Sequence, residues 1–145
     1  MMVEEGCVTN TILIVGEDAN ALIIAATLLR ARGLSVRTVA DAMEGCDILA
    51  CEGALVVVLD LTFPETRGLE LLRRLRGRFE TRLLPSQPAV VVMTDWFESA
   101  VERLAVGLGA DAFLRKPVAP GDFLAAVERF LPATESPASA LAVNA

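Results

Sequence analysis

The sequence predicts one α/β domain, built as a five-stranded parallel sheet that is doubly wound in (βα)5 order. Two observations support this prediction. Five short apolar segments alternate along the chain with five segments whose apolar residues recur at helical spacing. Several of the apolar segments are continuous, which is typical of strands buried on both faces of a parallel sheet. The alternation of strand and helix implies right-handed crossovers between neighbouring parallel strands.

The predicted strands are apolar runs rich in β-branched residues. The clearest run extends from Ala54 to Leu59 and stops at Asp60. Because it is continuously apolar, we expect a strand in the middle of the sheet. Residues 34–39 alternate between apolar and polar positions, which favours a strand nearer a sheet edge. The five predicted strands cover residues 11–15, 34–39, 54–59, 89–93 and 112–114.

The predicted helices have recognisable beginnings and ends. Asp18 or Asn20 can cap the first helix and Asp41 the second, since their side chains accept hydrogen bonds from free backbone N–H groups. Gly33 and Gly53 follow these two helices and are typical helix terminators. The five helices are expected at about residues 19–32, 42–51, 69–75, 98–108 and 122–131.

The length and composition indicate one domain with loose ends. A chain of 145 residues suits a single core. Residues 1–10 show no periodic signal, so we expect a flexible N-terminus. Residues 11–131 form the predicted domain. The composition of residues 132–145 changes to Ala, Ser, Pro and Thr without periodicity, which predicts a flexible C-terminal tail.

Charge and composition exclude several classes of function. The net charge of −6 disfavours direct binding to nucleic acid. No apolar run approaches the ~18 residues that a membrane span needs, so we expect no membrane insertion. The three cysteines are odd in number and lack metal-ligand spacing, so we expect free thiols and a cytoplasmic location. Because the chain contains no histidine, a histidine-based catalytic triad is excluded and a zinc site is disfavoured. The arginines at 73, 74, 76 and 78 are interpreted as a solvated helix face.

Polar side chains follow four of the predicted strands at the point where each strand ends. They are Glu17 (with Asp18), Asp60, Thr94 and Lys116. The carboxyl ends of parallel strands meet at one edge of the sheet, so these side chains should converge. Carboxylates in close quarters favour a hard cation such as Mg²⁺, while an ammonium group can hold a phosphoryl oxygen. One carboxylate can itself act as a nucleophile and become an aspartyl phosphate.

With these residues in place, the sequence resembles the receiver domain of two-component response regulators, over about residues 11–131. No single position is diagnostic, but the ordered set of Asp, Thr and Lys-Pro at successive strand ends is specific. The resemblance implies the flavodoxin-like receiver fold. The matching residues are Asp60, Pro64, Gly68, Thr94, Lys116 and Pro117.

The resemblance implies a role for each matching position. Asp60 is expected to accept a phosphoryl group from a histidine kinase or a phosphotransfer protein. Lys116 is expected to contact the phosphate and to pair with Asp60 when phosphate is absent. Thr94 is expected to move toward a phosphate oxygen, with Phe113 as the aromatic residue that moves with it. Read by itself, Phe113 on a short central strand is more typical of a core residue.

Two further implications concern the metal and the backbone. Glu17 and Asp60 are expected to bind Mg²⁺, with Asp18 as an additional ligand if the register of the family pattern is shifted by one residue. We prefer the unshifted register. Lys116-Pro117 is a candidate cis peptide bond, because the cis form before proline costs only about 0.5–1 kcal/mol.

The sequence departs from the family pattern around this pocket. Gly16 stands where the family has the first of two adjacent acids, and Glu17 is longer than the usual Asp, which weakens the expected affinity for Mg²⁺. Asp95 follows Thr94 and could repel a phosphoryl donor, while Trp96 could screen the pocket from water. Together with Thr62, these two residues are expected to modulate the pocket.

The expected function is that of a stand-alone, cytoplasmic receiver domain without an output domain, and not an enzyme in the ordinary sense. The resemblance implies that its output is contact with an unidentified downstream protein through the fourth helix, fifth strand and fifth helix. The same face is compatible with a homodimer, although core packing explains its apolar residues equally well. The alternative is a phosphorylation-independent pseudo-receiver that acts as an interaction scaffold. A flavodoxin-like enzyme or nucleotide-binding protein is disfavoured because no glycine-rich phosphate loop follows the first strand.

Overall fold

The computed structural model describes residues 11–62, 67–77, 87–96 and 98–132. Within these residues, five strands form one parallel sheet in the order β2-β1-β3-β4-β5. This confirms the predicted doubly wound α/β fold. The described residues exclude the predicted N-terminal tail, Pro64 and Arg78. They also exclude the predicted C-terminal tail, except for its first residue. The strands are β1 (Thr11–Gly16), β2 (Ser35–Val39), β3 (Val56–Leu61), β4 (Ala89–Thr94) and β5 (Ala112–Arg115).

Five helices connect and follow these strands in the described part of the chain. The helices α1 and α5 cover one face of the sheet, and α2, α3 and α4 cover the other. No helix among the described residues has both the length and the apolar character to cross a membrane. The helices are α1 (Ala19–Arg30), α2 (Ala42–Cys51), α3 (Arg67–Leu75), α4 (Ser99–Gly107) and α5 (Pro120–Glu128).

The core consists of two apolar layers, one on each side of the sheet. In β1, Ile12 and Ile14 point into the layer beneath α1 and α5, whereas Leu13 and Val15 point into the other layer. All six residues of β3 are buried as well. Strands that are covered on both faces therefore lack polar alternation, which is why their sequences are continuously apolar. Each fully buried valine or leucine contributes roughly 1.5–3 kcal/mol relative to an exposed one.

The predicted and observed helix ends differ by a few residues for physical reasons. The first helix ends at Arg30 rather than residue 32, because Gly33 adopts a φ of 81° and Leu34 N–H returns to the carbonyl of Leu29. The fifth helix begins at Pro120, whose fixed φ suits a first helical turn. Gly53 terminates α2 with a φ of 77°.

The strand β5 lies at the edge of the sheet, beside β4. The interpretation of Phe113 as part of a central strand was therefore wrong in this respect. Phe113 is only partly buried, because one side of an edge strand has no neighbouring strand.

One arginine of the cluster on α3 is not part of a solvated face. Arg73 and Arg74 pair with Glu70 at the helix surface, as expected. The side chain of Arg76 is instead 21% exposed and donates hydrogen bonds to the carbonyls of Gly109 and Pro88. It also pairs with Asp111 at 2.9 Å. The interpretation as surface charge was wrong for Arg76. This residue directly follows α3, and from there its side chain reaches two loops at the amino edge of the sheet.

Candidate functional site at the carboxyl edge of the sheet

The ladder of β1, β3, β4 and β5 brings the strand ends together. Gly16 is paired with Asp60, and Thr94 is paired with both Leu61 and Arg115. The backbone N–H of Lys116 donates to the carbonyl of Thr94 at 2.7 Å. The sheet itself therefore places the carboxylate, the hydroxyl and the amine at adjacent positions along one edge.

Asp60 is the buried acid of this site, with 4% of its surface exposed. Lys116 Nζ forms an ion pair with Asp60 Oδ1, and the lysine side chain is 22% exposed. The other carboxylate oxygen, Oδ2, has no hydrogen-bond partner among the described residues. The buried hydroxyl of Thr62 has none either. A buried acceptor without a donor is costly unless a ligand or solvent uses it, so Asp60 is a candidate functional position.

Burial is the main influence on the ionisation of Asp60. Removal of the carboxylate from water raises its pKa above the ordinary value, and this effect outweighs the hydrogen bond and the positive charge of Lys116, which lower the pKa. The negative charges of Asp18 and Asp95 raise it further. A raised pKa makes the carboxylate a better nucleophile wherever it remains ionised.

Thr94 is fully buried at the end of β4. Its hydroxyl oxygen accepts a hydrogen bond from the backbone N–H of Trp96 at 3.1 Å, so its own proton can be directed elsewhere. The carbonyl of Trp96 accepts a hydrogen bond from Arg115 at 2.7 Å. Arg115 lies over the ring of Phe113, with 5.3 Å from its guanidinium carbon to the ring centroid, and also pairs with Glu102 on α4. This chain of contacts connects the hydroxyl to the surface of α4.

The remaining predicted residues lie around the pocket. Asp95 is exposed, and Trp96 is partly buried. The carboxylate of Asp18 caps α1 by accepting from the N–H groups of Asn20 and Ala21. Glu17 is exposed at the mouth of a cleft beside Asp60. The peptide bond between Lys116 and Pro117 is cis.

Two arginines at the site were not expected from the sequence. Arg67, the first residue of α3, lines the cleft with Asp60, and its Nη1 lies 3.8 Å from Oε2 of Glu17. Arg115 bridges Trp96 and Glu102. The sequence did contain a signal for Arg67. The residue begins the helix after β3, so it must lie near the edge of the sheet at which Asp60 ends its strand. No sequence pattern indicated the contacts of Arg115 with Trp96 and Glu102.

The donors at the cleft suit a cation held by few protein ligands. Among the described residues, no group of three or more acidic, histidine or cysteine side chains is close enough to surround a metal ion. Asp60 nevertheless presents a buried Oδ2 without a hydrogen-bond donor among the described residues, and Glu17 stands at the same cleft. Mg²⁺ commonly keeps several waters and binds through one or two carboxylates plus phosphate oxygens. The residues present fit that mode of binding.

The fold and the site together define a class: a doubly wound α/β domain with a buried aspartate, a threonine and a lysine at the carboxyl edge of its sheet. The chain belongs to the response regulator receiver domain family, whose description matches residues 12–128. Receiver domains are signalling modules of two-component systems.

Individual relatives agree with this assignment. The response regulator MprA of Mycobacterium tuberculosis is 34% identical over 125 residues, which cover 86% of this chain and 51% of that protein. The transcriptional regulatory protein GltR of Pseudomonas aeruginosa is 28% identical over 121 residues, 83% of this chain and 48% of that protein. The chain thus spans about half the length of these relatives.

A solved structure shows the same architecture. The CheY-like receiver domain protein of Methanospirillum hungatei JF-1 superposes with a TM-score of 0.71 at 27% sequence identity. The match covers 84% of this chain and 93% of that one. The fold inferred from the strand order is therefore the receiver fold.

Proposed function

We propose that Asp60 accepts a phosphoryl group from a phosphohistidine of a histidine kinase or phosphotransfer protein. The observation that carries this proposal is the state of the Asp60 carboxylate. It is buried, its Oδ1 is paired with Lys116, and its Oδ2 receives no hydrogen bond from the described residues. A carboxylate with a structural role alone would ordinarily have its acceptors satisfied.

The proposed transfer is an in-line displacement at phosphorus. One oxygen of Asp60 attacks the phosphorus atom, and the bond from phosphorus to the histidine nitrogen of the donor breaks. The electron pair of that bond leaves with the imidazole, which takes up a proton from water. Asp60 becomes an acyl phosphate and gains one negative charge.

Lys116 and Thr94 are suited to receive the added charge. The ammonium group of Lys116 already lies against Asp60 and can bind a phosphoryl oxygen. The hydroxyl of Thr94 can donate to another oxygen while it keeps its hydrogen bond from Trp96. Glu17 and Asp60 would hold Mg²⁺, which when bound neutralises negative charge on the phosphoryl oxygens.

Signalling would then occur by a change in the surface around α4 and β5. Arg115 connects the backbone beside Thr94 to Phe113 and to Glu102, so a movement of Thr94 would be transmitted to this surface. Leu104 and Val106 are exposed apolar residues on α4. We propose the face of α4, β5 and α5 as the contact surface for a downstream protein or for a second copy of the chain.

The test is intact-mass measurement after incubation with acetyl phosphate and Mg²⁺, with Asp60→Asn as the defining variant. Asp47→Asn is a matched control, because Asp47 is an exposed aspartate on α2. The expected result is one phosphoryl adduct on the wild type and on Asp47→Asn, and none on Asp60→Asn. An equal adduct on Asp60→Asn would overturn the assignment.

A phosphorylation-independent scaffold is the second candidate. It is favoured by Gly16, which supplies no carboxylate to the cleft, and by the negative charge of the exposed Asp95 near Asp60. In that case no adduct would form on any variant. Capture of the same partner by the wild type and by Asp60→Asn would then support the scaffold.

A further inference from the structure

The position of Arg67 at the cleft is determined by packing. The next residue is Gly68, where an added Cβ would collide with Cδ2 of Leu61 on β3. Glycine therefore allows the start of α3 to approach the end of β3 closely. As a result, Arg67 lines the cleft with Asp60, Thr62 and Glu17.

The charges around the cleft form two pairs. Lys116 pairs with Asp60, and Arg67 lies 3.8 Å from Glu17. Gly16 supplies no acid beside them. Asp18 and Asp95 add negative charge near Asp60, but both are exposed and the carboxylate of Asp18 caps α1. Each carboxylate that faces the cleft thus already has a positively charged side chain beside it.

We propose that Arg67 lowers the affinity of the pocket for Mg²⁺ by competing with the cation for Glu17. This inference rests on the proposed function, because it takes the cleft to be the metal pocket of the phospho-acceptor. A cation that uses Glu17 must displace the guanidinium group. The pocket therefore binds Mg²⁺ less tightly than one with an unpaired carboxylate at position 17.

The expected effect is modest, because the two side chains are 72% and 46% exposed. Exposed ion pairs are worth little in water, so removal of Arg67 should tighten Mg²⁺ binding by about two- to fivefold. Binding is measured by titration calorimetry and by fluorescence of Trp96, the single tryptophan of the chain. Neither readout requires phosphorylation.

The variant is Arg67→Gln, and the matched control is Arg32→Gln. Arg32 is also an exposed arginine in an ion pair, with Glu128 at 2.7 Å, so its loss changes the net charge equally. Tighter Mg²⁺ binding by Arg67→Gln than by both the wild type and Arg32→Gln is expected. The inference is overturned if Arg67→Gln and Arg32→Gln bind Mg²⁺ with equal affinity. It is also overturned if neither variant binds Mg²⁺.

The double variant Asp60→Asn with Arg67→Gln localises the effect, since the gain in affinity should disappear without the Asp60 carboxylate. Persistence of the gain would place the cation elsewhere and overturn the inference. The phosphoryl adduct is measured separately by mass. Tighter Mg²⁺ binding without any adduct would refute the proposed phospho-acceptor function and leave the role of Arg67 intact.

Discussion

Gly16 and Asp60 are paired neighbours on β1 and β3, and a Cβ added to Gly16 would lie 2.8 Å from the Cβ of Asp60. It would also lie 3.0 Å from the carbonyl oxygen of Asp60. A side chain at position 16 therefore requires a shift of the two strands. Gly16 is more than a missing acid, because the present geometry of Asp60 depends on it.

We predict that Gly16→Ala lowers the free energy of unfolding by about 1–3 kcal/mol, as overpacking of a core does. Gly107→Ala is the control, because an added Cβ there meets nothing within 4 Å. That variant should be stabilised by about 0.5–1 kcal/mol, since alanine favours a helix. Urea denaturation measures both. If Gly16→Ala had the same free energy of unfolding as the wild type, β1 and β3 would have moved apart without a cost in stability, and the prediction would be wrong.

The raised pKa of Asp60 predicts a pH-dependent stability difference. The folded chain holds a proton on Asp60 more tightly than the unfolded chain does, so the stabilisation from this group is fully present below the ordinary aspartate pKa. It is lost as pH rises through the raised pKa.

Asp60→Asn does not titrate at this position. Its free energy of unfolding should therefore increasingly exceed that of the wild type from acidic toward neutral pH. Within the window between the two pKa values, the difference grows by at most about 1.4 kcal/mol per pH unit. Denaturation at a series of pH values provides the measurement, with Asp47→Asn as control. A difference that shrinks with rising pH would show that Lys116 outweighs burial and lowers the pKa.

Arg76, directly after the end of α3, should be more sensitive to conservative replacement than Arg73 on that helix. Lysine cannot reproduce a planar fork that reaches the carbonyls of Gly109 and Pro88 and the carboxylate of Asp111. We expect Arg76→Lys to lower the free energy of unfolding by about 1–3 kcal/mol. Arg73→Lys should change it by less than about 0.5 kcal/mol, because that pair is solvated. Equal effects in thermal or urea denaturation would contradict the structural role of Arg76.

Removal of Arg115 should loosen the backbone between β4 and α4. Arg115→Ala removes the donor to the carbonyl of Trp96 and the partner of Glu102. Because these contacts are partly exposed, amide hydrogen exchange there should accelerate by no more than about fivefold. Exchange in β1 should not change. Arg103→Ala, an exposed arginine on α4, is the control and should leave this segment unaffected.

The sequence was sufficient for the sheet and for the convergence of Asp60 and Lys116. Continuous apolar runs identify buried parallel strands, and parallel strands must end at the same edge. Their convergence follows from the strand ends, whereas their ion pair was expected from the resemblance to receiver domains. Strand positions were predicted well for the same reason, since each polar residue that closes a run is visible in the sequence.

The positions of the arginines could not be predicted in the same way. Periodicity assigns a residue to one face of a helix, but it does not reveal which distant loop meets that face. Arg76 meets Gly109, and Arg115 meets Trp96, only after the whole sheet has assembled. Helical spacing therefore suggested a solvated face for Arg76, although packing against the β4 and β5 loops made it an internal contact.

The contacts of Asp111 at the amino edge of the sheet indicate which parts of the domain can be altered by substitution. Its carboxylate joins Arg76 to the backbone N–H of Val90 at the start of β4, at the opposite end of the sheet from Asp60. The left-handed turns at Gly33 and Gly53, which carry the chain into β2 and β3, lie at that same end. These turns are thus separated along the strand axis from Asp60 and the residues around it. Exposed residues at the cleft could be replaced without redesigning the turns at the other end of the sheet.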